Sequence, residues 1–168
     1  MKYTVGLILA LAMVFGIAGA SMAAPIAPGP GGHLFGFGEY NTVYSGGVLG
    51  AGFNITDNLS VGGYYAPNAS EIGAFTNLAA GPFVVEMEVC NQTGSSFMYG
   101  QATALYTLNL GPVTMGIGGG TDFNNAGSHA LIGKAAANLA LGNLAIYGSV
   151  TSYGGSYLDY STGMSLAF

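Results

Sequence analysis

In the last twelve residues of this chain, Leu158, Tyr160, Thr162, Met164, Leu166 and Phe168 alternate with Tyr157, Asp159, Ser161, Gly163, Ser165 and Ala167. Successive strand side chains point to opposite faces, so the segment has one apolar face and one face of small or polar residues. The same period recurs upstream. Phe83, Val85, Met87 and Val89 alternate with Val84, Glu86 and Glu88, and Val113, Met115 and Ile117 with Thr114, Gly116 and Gly118. Met98, Ala102, Ala104, Tyr106 and Leu108 alternate with Tyr99, Gln101, Thr103, Thr107 and Asn109, Leu105 being the exception on the polar side. A period of two is the strand signal. Helices are disfavoured by the 30 glycines, since each costs about 1 kcal/mol in a helix interior relative to alanine.

The second face lacks charge. A soluble antiparallel sheet buries its apolar face and turns a polar one to water, yet only 5% of this chain is charged, against about 25% in average domains. Gly, Ala, Ser, Thr, Asn and Tyr suit an enclosed interior, with the apolar face turned to lipid. In a bilayer every backbone polar group needs a partner, so the strands must close on themselves. The expected fold is all-β, a closed antiparallel transmembrane β-barrel.

Turn residues space the strands. Thr56-Asp57-Asn58, Ala79-Ala80-Gly81-Pro82, Leu110-Gly111-Pro112 and Leu141-Gly142-Asn143 each separate two apolar runs and supply positive or preset φ. A second set of connections falls near residues 41–42, 66–69, 91–96, 124–128 and 154–156. The reading is ten strands, at 33–41, 43–55, 59–66, 70–78, 83–90, 97–109, 113–123, 129–139, 144–153 and 157–168. Bacterial single-chain barrels have even strand numbers, which supports counting 70–78. Eight strands would result if 33–41 and 70–78 both failed to form.

The N-terminus reads as an address. Lys2 precedes an apolar run from Val5 to about Ala20, and Ala18-Gly19-Ala20 or Ser21-Met22-Ala23 fits a small-residue cleavage site. Residues 1–23 are therefore expected to be a cleaved secretory signal peptide, 24–32 a flexible linker, and 33–168 the barrel. Removing Lys2 leaves one lysine against seven carboxylates. That balance does not favour nucleic acid or a polybasic contact with a membrane surface. The single cysteine, Cys90, cannot form an internal disulfide.

The C-terminal stretch carries a resemblance. Ser161, Gly163, Leu166 and Phe168 match the terminal strand of bacterial outer-membrane β-barrel proteins, in which a polar residue and a glycine precede hydrophobic residues alternating to a final aromatic. The resemblance implies a Gram-negative outer membrane, recognition by the barrel-assembly machinery through those four residues, and a periplasmic C-terminus. The connections on the other side are then external. They are short for this family, which argues against a large external binding surface. Tyr40, Tyr44, Tyr64, Tyr65, Tyr99, Phe123, Tyr153, Tyr157 and Tyr160 fall toward that rim, and Phe53, Phe83, Tyr106 and Phe168 toward the other. The two sets are expected to form interfacial aromatic girdles.

Alternation places Glu71, Glu86, Glu88, Asp122, Lys134 and Asp159 inward as lumen-lining residues. A charge facing lipid would cost about 2–4 kcal/mol at the midplane. Lys134 can form one structural ion pair, and the remaining carboxylates could make an acidic pore favouring cations. Glu86 and Glu88 are neighbours on one face and could share a proton, but no substrate-positioning motif accompanies them. His33 and His129 lack metal-ligand spacing. A catalytic set of His129 with Asp122 or Asp159 would need convergence in space. No catalytic residue, metal or cofactor is assigned. Gly116-Ile117-Gly118-Gly119-Gly120 does not match a phosphate loop and reads as relief of crowding in a curved strand.

Ten strands enclose more room than the eight-stranded barrels that side chains can fill. With small inward residues, a water-filled path is expected. The function expected is therefore a small outer-membrane barrel, either structural or a narrow porin-like channel with an acidic lumen. Its partners would be outer-membrane lipid, the assembly machinery, and small solutes or cations. The alternatives are an outer-membrane enzyme with a rim site and a secreted soluble β-protein that packs into an assembly.

Overall fold

The computed structural model describes residues 31–41, 46–154 and 157–168. The expected signal peptide, linker residues 24–30 and Tyr44 lie outside the described residues. Gly31 and Gly32, the last two residues of the linker, are held against the barrel. Their amides donate to Asp57 Oδ1 at 2.7 Å and to the Asn54 carbonyl at 2.6 Å.

Ten strands form: β1 (Leu34–Asn41), β2 (Gly46–Thr56), β3 (Leu59–Ala66), β4 (Glu71–Ala80), β5 (Phe83–Gln92), β6 (Met98–Leu110), β7 (Val113–Asn124), β8 (Leu131–Leu141), β9 (Leu144–Tyr153) and β10 (Tyr157–Ala167). Each pairs antiparallel with its chain neighbours, and β1 also pairs with β10, closing the barrel. The segment 70–78 is strand β4, so the eight-strand alternative falls. At the end that carries both termini of the barrel, Gly81, Gly111 and Gly142 open two-residue turns with φ of 61°, 69° and 65°. Positive φ at the first central position is what a type II′ hairpin requires. At the opposite end a 3-10 turn, Pro67–Ala69, joins β3 to β4.

Sidedness is inverted relative to a soluble protein. Leu49, Ile72, Met87, Leu108, Ile117 and Leu131 are exposed on the outside, whereas Glu39, Asn54, Gln101, Lys134, Ser149 and Asp159 are buried within. The alternation reads correctly in all four of the segments above, and Leu105, the exception, is fully buried inside.

Strands β1–β4 add a second pattern. Phe35, Phe37, Tyr64 and Phe75 point inward and are buried. Each stands directly opposite a glycine on the next strand: Phe35 on Gly52, Phe37 on Gly50, Tyr64 on Gly73 and Phe75 on Gly62. In β9–β10, Tyr147 faces Gly163 in the same way. A Cβ on any of these glycines would run into the aromatic ring opposite. The missing side chain makes room for the ring, and the ring covers the bare backbone. The rings also meet one another, Phe37 and Phe75 edge-on with centroids 5.6 Å apart. In β7, a Cβ on Gly118 or Gly120 would strike the carbonyl oxygen of Ala104 or Ala102, in agreement with glycine relieving crowding there.

A matched pair of substitutions tests this packing. Gly62→Val drives a side chain into the Phe75 ring and is expected to destabilise the barrel by about 1–3 kcal/mol, as overpacking does. Gly133 lies in β8 with nothing near its would-be Cβ, so Gly133→Val is expected to be neutral or better. Urea midpoints of the refolded variants, followed by far-UV circular dichroism, give the comparison.

The girdle expectation holds at one end and is corrected at the other. Phe53, Phe83, Tyr106 and Phe168 are all exposed near the terminal end, with Phe83 and Tyr106 in edge contact at 5.6 Å. At the opposite rim, among the described residues of that set, only Tyr40, Tyr65, Phe123 and Tyr160 take the outer face. Tyr64, Tyr99, Tyr153 and Tyr157 occupy lumen-face positions of their strands, because they share parity with Ala66, Gln101, Thr151 and Asp159. Of their hydroxyls, those of Tyr64 and Tyr153 bond side chains of the interior.

Candidate functional site in the lumen

Of the six ionisable residues expected to face inward, Glu86, Glu88, Lys134 and Asp159 are buried inside the barrel, while Glu71 and Asp122 lie on lumen-face positions of β4 and β7 and are only partly buried. Strand β5 presents Glu86 and Glu88, and β6 sets Thr103 and Gln101 directly opposite them. Lys134, from β8, reaches across to Glu86 Oε2 at 2.6 Å, and the Thr103 hydroxyl donates to the same oxygen at 2.9 Å. Lys134 is only 3% exposed. Glu88 is held separately. The Tyr64 hydroxyl donates to its Oε1 at 2.6 Å and the Gln101 amide to its Oε2 at 2.7 Å. Tyr64 also contacts Glu71 Oε1 at 3.3 Å, and Tyr153 donates to Gln101 Oε1 at 3.4 Å. Hydrogen bonds to charged groups are worth about 1.5–3 kcal/mol each. The two glutamates are thus fixed by distinct partners and do not form a proton-sharing pair.

The other two acids differ. Asp122 lies near the rim and accepts the Ala130 amide, so it pins the β7–β8 connection. Asp159 is fully buried, and the Tyr153 hydroxyl faces it. Sequence reasoning missed a seventh residue. Glu39 is 5% exposed inside β1, and Asn41 Nδ2 donates to its Oε1 at 3.2 Å. Its signal was the alternation Phe35, Phe37, Glu39, Asn41. That series puts aromatics on the same face as an acid, against the apolar-outward rule.

The expected water-filled path is corrected. The small inward residues lie opposite large ones, so the lumen is packed with side chains. A cavity of about 10 Å³ remains among Phe75, Asn77, Glu86, Glu88, Gln101, Thr103 and Lys134, which is room for about one water.

The terminal motif splits across the wall. Ser161 and Gly163 face the lumen, the Ser161 and Ser149 hydroxyl oxygens lying 3.1 Å apart. Leu166 and Phe168 are exposed outside. The Phe168 amide donates to the Leu34 carbonyl at 2.8 Å, and His33 Nδ1 lies 3.0 Å from the Phe168 carbonyl oxygen, so His33 sits on the closing seam. Cys90 is a buried free thiol. Among the described residues no group of three His, Cys, Asp or Glu is placed to hold a metal ion.

No protein-family model matches the chain, and no match was found among curated proteins. Among solved structures, the de novo designed transmembrane β-barrel TMB2.3, determined by solution NMR, aligns with a TM-score of 0.50 at 15% identity. The alignment covers 82% of this chain and 94% of that one. At that identity the likeness shows the fold alone, a closed antiparallel β-barrel.

Proposed function

We propose that this chain is an outer-membrane protein of a Gram-negative envelope, exported by a cleaved signal peptide, whose barrel is a sealed structural element. The observation that carries the reading is its inverted sidedness: exposed apolar residues on all ten strands' outer face, and glutamate, aspartate and lysine buried inside. Strands of 8 to 13 residues fit the roughly 9–11 residues that cross a bilayer at a tilt. Assembly by the barrel-assembly machinery would use Ser161, Gly163, Leu166 and Phe168. The packed lumen favours a structural role over a porin-like channel for solutes or cations. The pairing of Glu86 with Lys134 and of Glu88 with Tyr64 and Gln101 favours structural carboxylates over an acidic selectivity lining.

The test is flotation and conductance of the refolded full chain. The protein is expected to float with lipid vesicles and to show no sustained potassium current in a planar bilayer. Folded protein left behind in the aqueous fraction would favour the secreted assembly. A steady cation-selective current, weakened by Glu86→Gln with Glu88→Gln, would replace the sealed barrel with a porin-like channel.

A further inference from the structure

The two rims of the barrel differ in charge. At the end away from the barrel's termini the connections are residues 42–45, 67–70, 93–97, 125–130 and 154–156, and none contains Asp, Glu, Lys or Arg. Glu71 and Asp122 stand next to them, but on lumen-face positions of β4 and β7. At the other end Asp57 occupies the turn between β2 and β3 and accepts the Gly31 amide. Everything ahead of Gly31 therefore joins the barrel at that end.

The charge-free connections also satisfy much of their own backbone. Asn91 Nδ2 donates to the Ser95 and Phe97 carbonyls at 3.3 and 3.0 Å, and the Ser95 hydroxyl accepts the Phe97 amide at 3.0 Å. Asn125 ties two connections together: its Oδ1 accepts the Met98 amide at 3.1 Å, and its Nδ2 donates to the Ser96 carbonyl. Asn124 Oδ1 accepts the Ala126 and Ser128 amides at 3.0 and 3.1 Å, and Asp122 accepts that of Ala130. The Thr93 amide donates to the Ser70 carbonyl at 2.6 Å. A backbone polar group without a partner is costly in hydrocarbon, and a charge is opposed there as well. Short connections that carry no charge and pair their own amides are the ones hydrocarbon resists least.

We infer that this barrel enters a lipid bilayer unaided and in one direction, the charge-free rim crossing while Asp57, His33 and the segment ahead of Gly31 stay on the side of entry. The inference rests on the membrane-spanning reading above, and it makes the bare bilayer a sufficient partner for insertion. The assembly machinery proposed above would then speed a step that the chain completes by itself. Entry by the other rim would have to carry Asp57 and the segment ahead of Gly31 through the hydrocarbon.

In the experiment the full chain, unfolded in urea, is diluted into preformed phosphatidylcholine vesicles with no other protein present. It should float with the vesicles and gain the circular dichroism of a β-sheet. Orientation is read in a Cys90→Ser background carrying either Ser96→Cys at the crossing rim or Asn143→Cys in the β8–β9 turn. A membrane-impermeant maleimide added outside should label Asn143→Cys at once, and Ser96→Cys only after detergent opens the vesicles. Ser96→Asp and Ser128→Lys, each made in the wild-type background, should slow insertion by about tenfold or more, since a charge must now cross the midplane. Asn143→Asp should leave the rate near that of the wild type. If Cys90→Ser does not insert, these rates decide the matter. Equal labelling of the two positions before lysis, or equal slowing by a charge at either rim, overturns directed entry. Wild type that stays out of preformed vesicles, yet floats after reconstitution from detergent, overturns unaided entry and leaves the membrane reading standing. Failure by both routes overturns both.

Discussion

Replacing Lys134 with methionine is expected to lower the unfolding free energy by about 3–5 kcal/mol, because removing one partner strands the other charge in the interior. Lys134 lies 2.6 Å from Glu86, and both side chains are buried. Once the lysine is gone, Glu86 keeps only the Thr103 hydroxyl among its recorded side-chain partners. The companion variant, Lys134→Met with Glu86→Met, is expected to lie much nearer the wild type, since whole buried pairs exchanged for apolar residues are often close to neutral. Urea unfolding of the refolded protein closes the double-mutant cycle. Losses that simply add would mean that Lys134 and Glu86 do not depend on each other, and the ion pair would not be what holds β5 and β8 in place.

The second large effect belongs to the outer wall. Met87 is the fifth of ten residues in β5 and is half exposed on the outer face. On the proposed membrane-spanning reading, arginine there faces hydrocarbon near the midplane and is expected to cost about 2–4 kcal/mol, read as a loss of vesicle-inserted protein. Leu166→Arg, close to the terminal edge of β10, should cost less, because the penalty falls toward the interface. Equal insertion of Met87→Arg and the wild type would remove the lipid from this picture.

Strand number, order and most boundaries could be read from the sequence because two independent signals coincided. The Gly-Pro and Gly-Asn turns fixed the hairpins at one end, and the period of two fixed the faces in β5, β6, β7 and β10. For Glu86, Glu88, Lys134 and Asp159 parity alone is enough to place the side chain in the interior. What remained hidden was volume. The rule that sends apolar side chains outward has no means of placing Phe35 and Phe37 inside, because it treats β1 without reference to the strand beside it. Only the pairing of β1 with β2 shows that Gly50 and Gly52 leave room for those rings. The same blindness leaves a water-filled lumen expected, counts four lumen-face tyrosines into an outer girdle and passes over Glu39. Partner choice inside the lumen is likewise a three-dimensional property: Lys134 and Glu86 are 48 residues apart.

The glycine–aromatic pairs carry a consequence for how the strands find alignment. A one-residue slip between strands turns every side chain to the wrong face and is strongly opposed, but a two-residue slip preserves the faces and would otherwise be hard to reject. In β3–β4, such a slip in one direction brings Tyr64 and Phe75 onto each other. In the other direction it sets Tyr64 against Glu71 and Phe75 against Ser60. In β1–β2, one direction sets Phe35 against Asn54 and the other sets Phe37 against Val48. The bare positions thus act as a proofreading code, admitting one alignment and rejecting its nearest face-preserving rivals. Since the stagger accumulated around a closed sheet sets its girth, these few glycines help fix the circumference of the barrel.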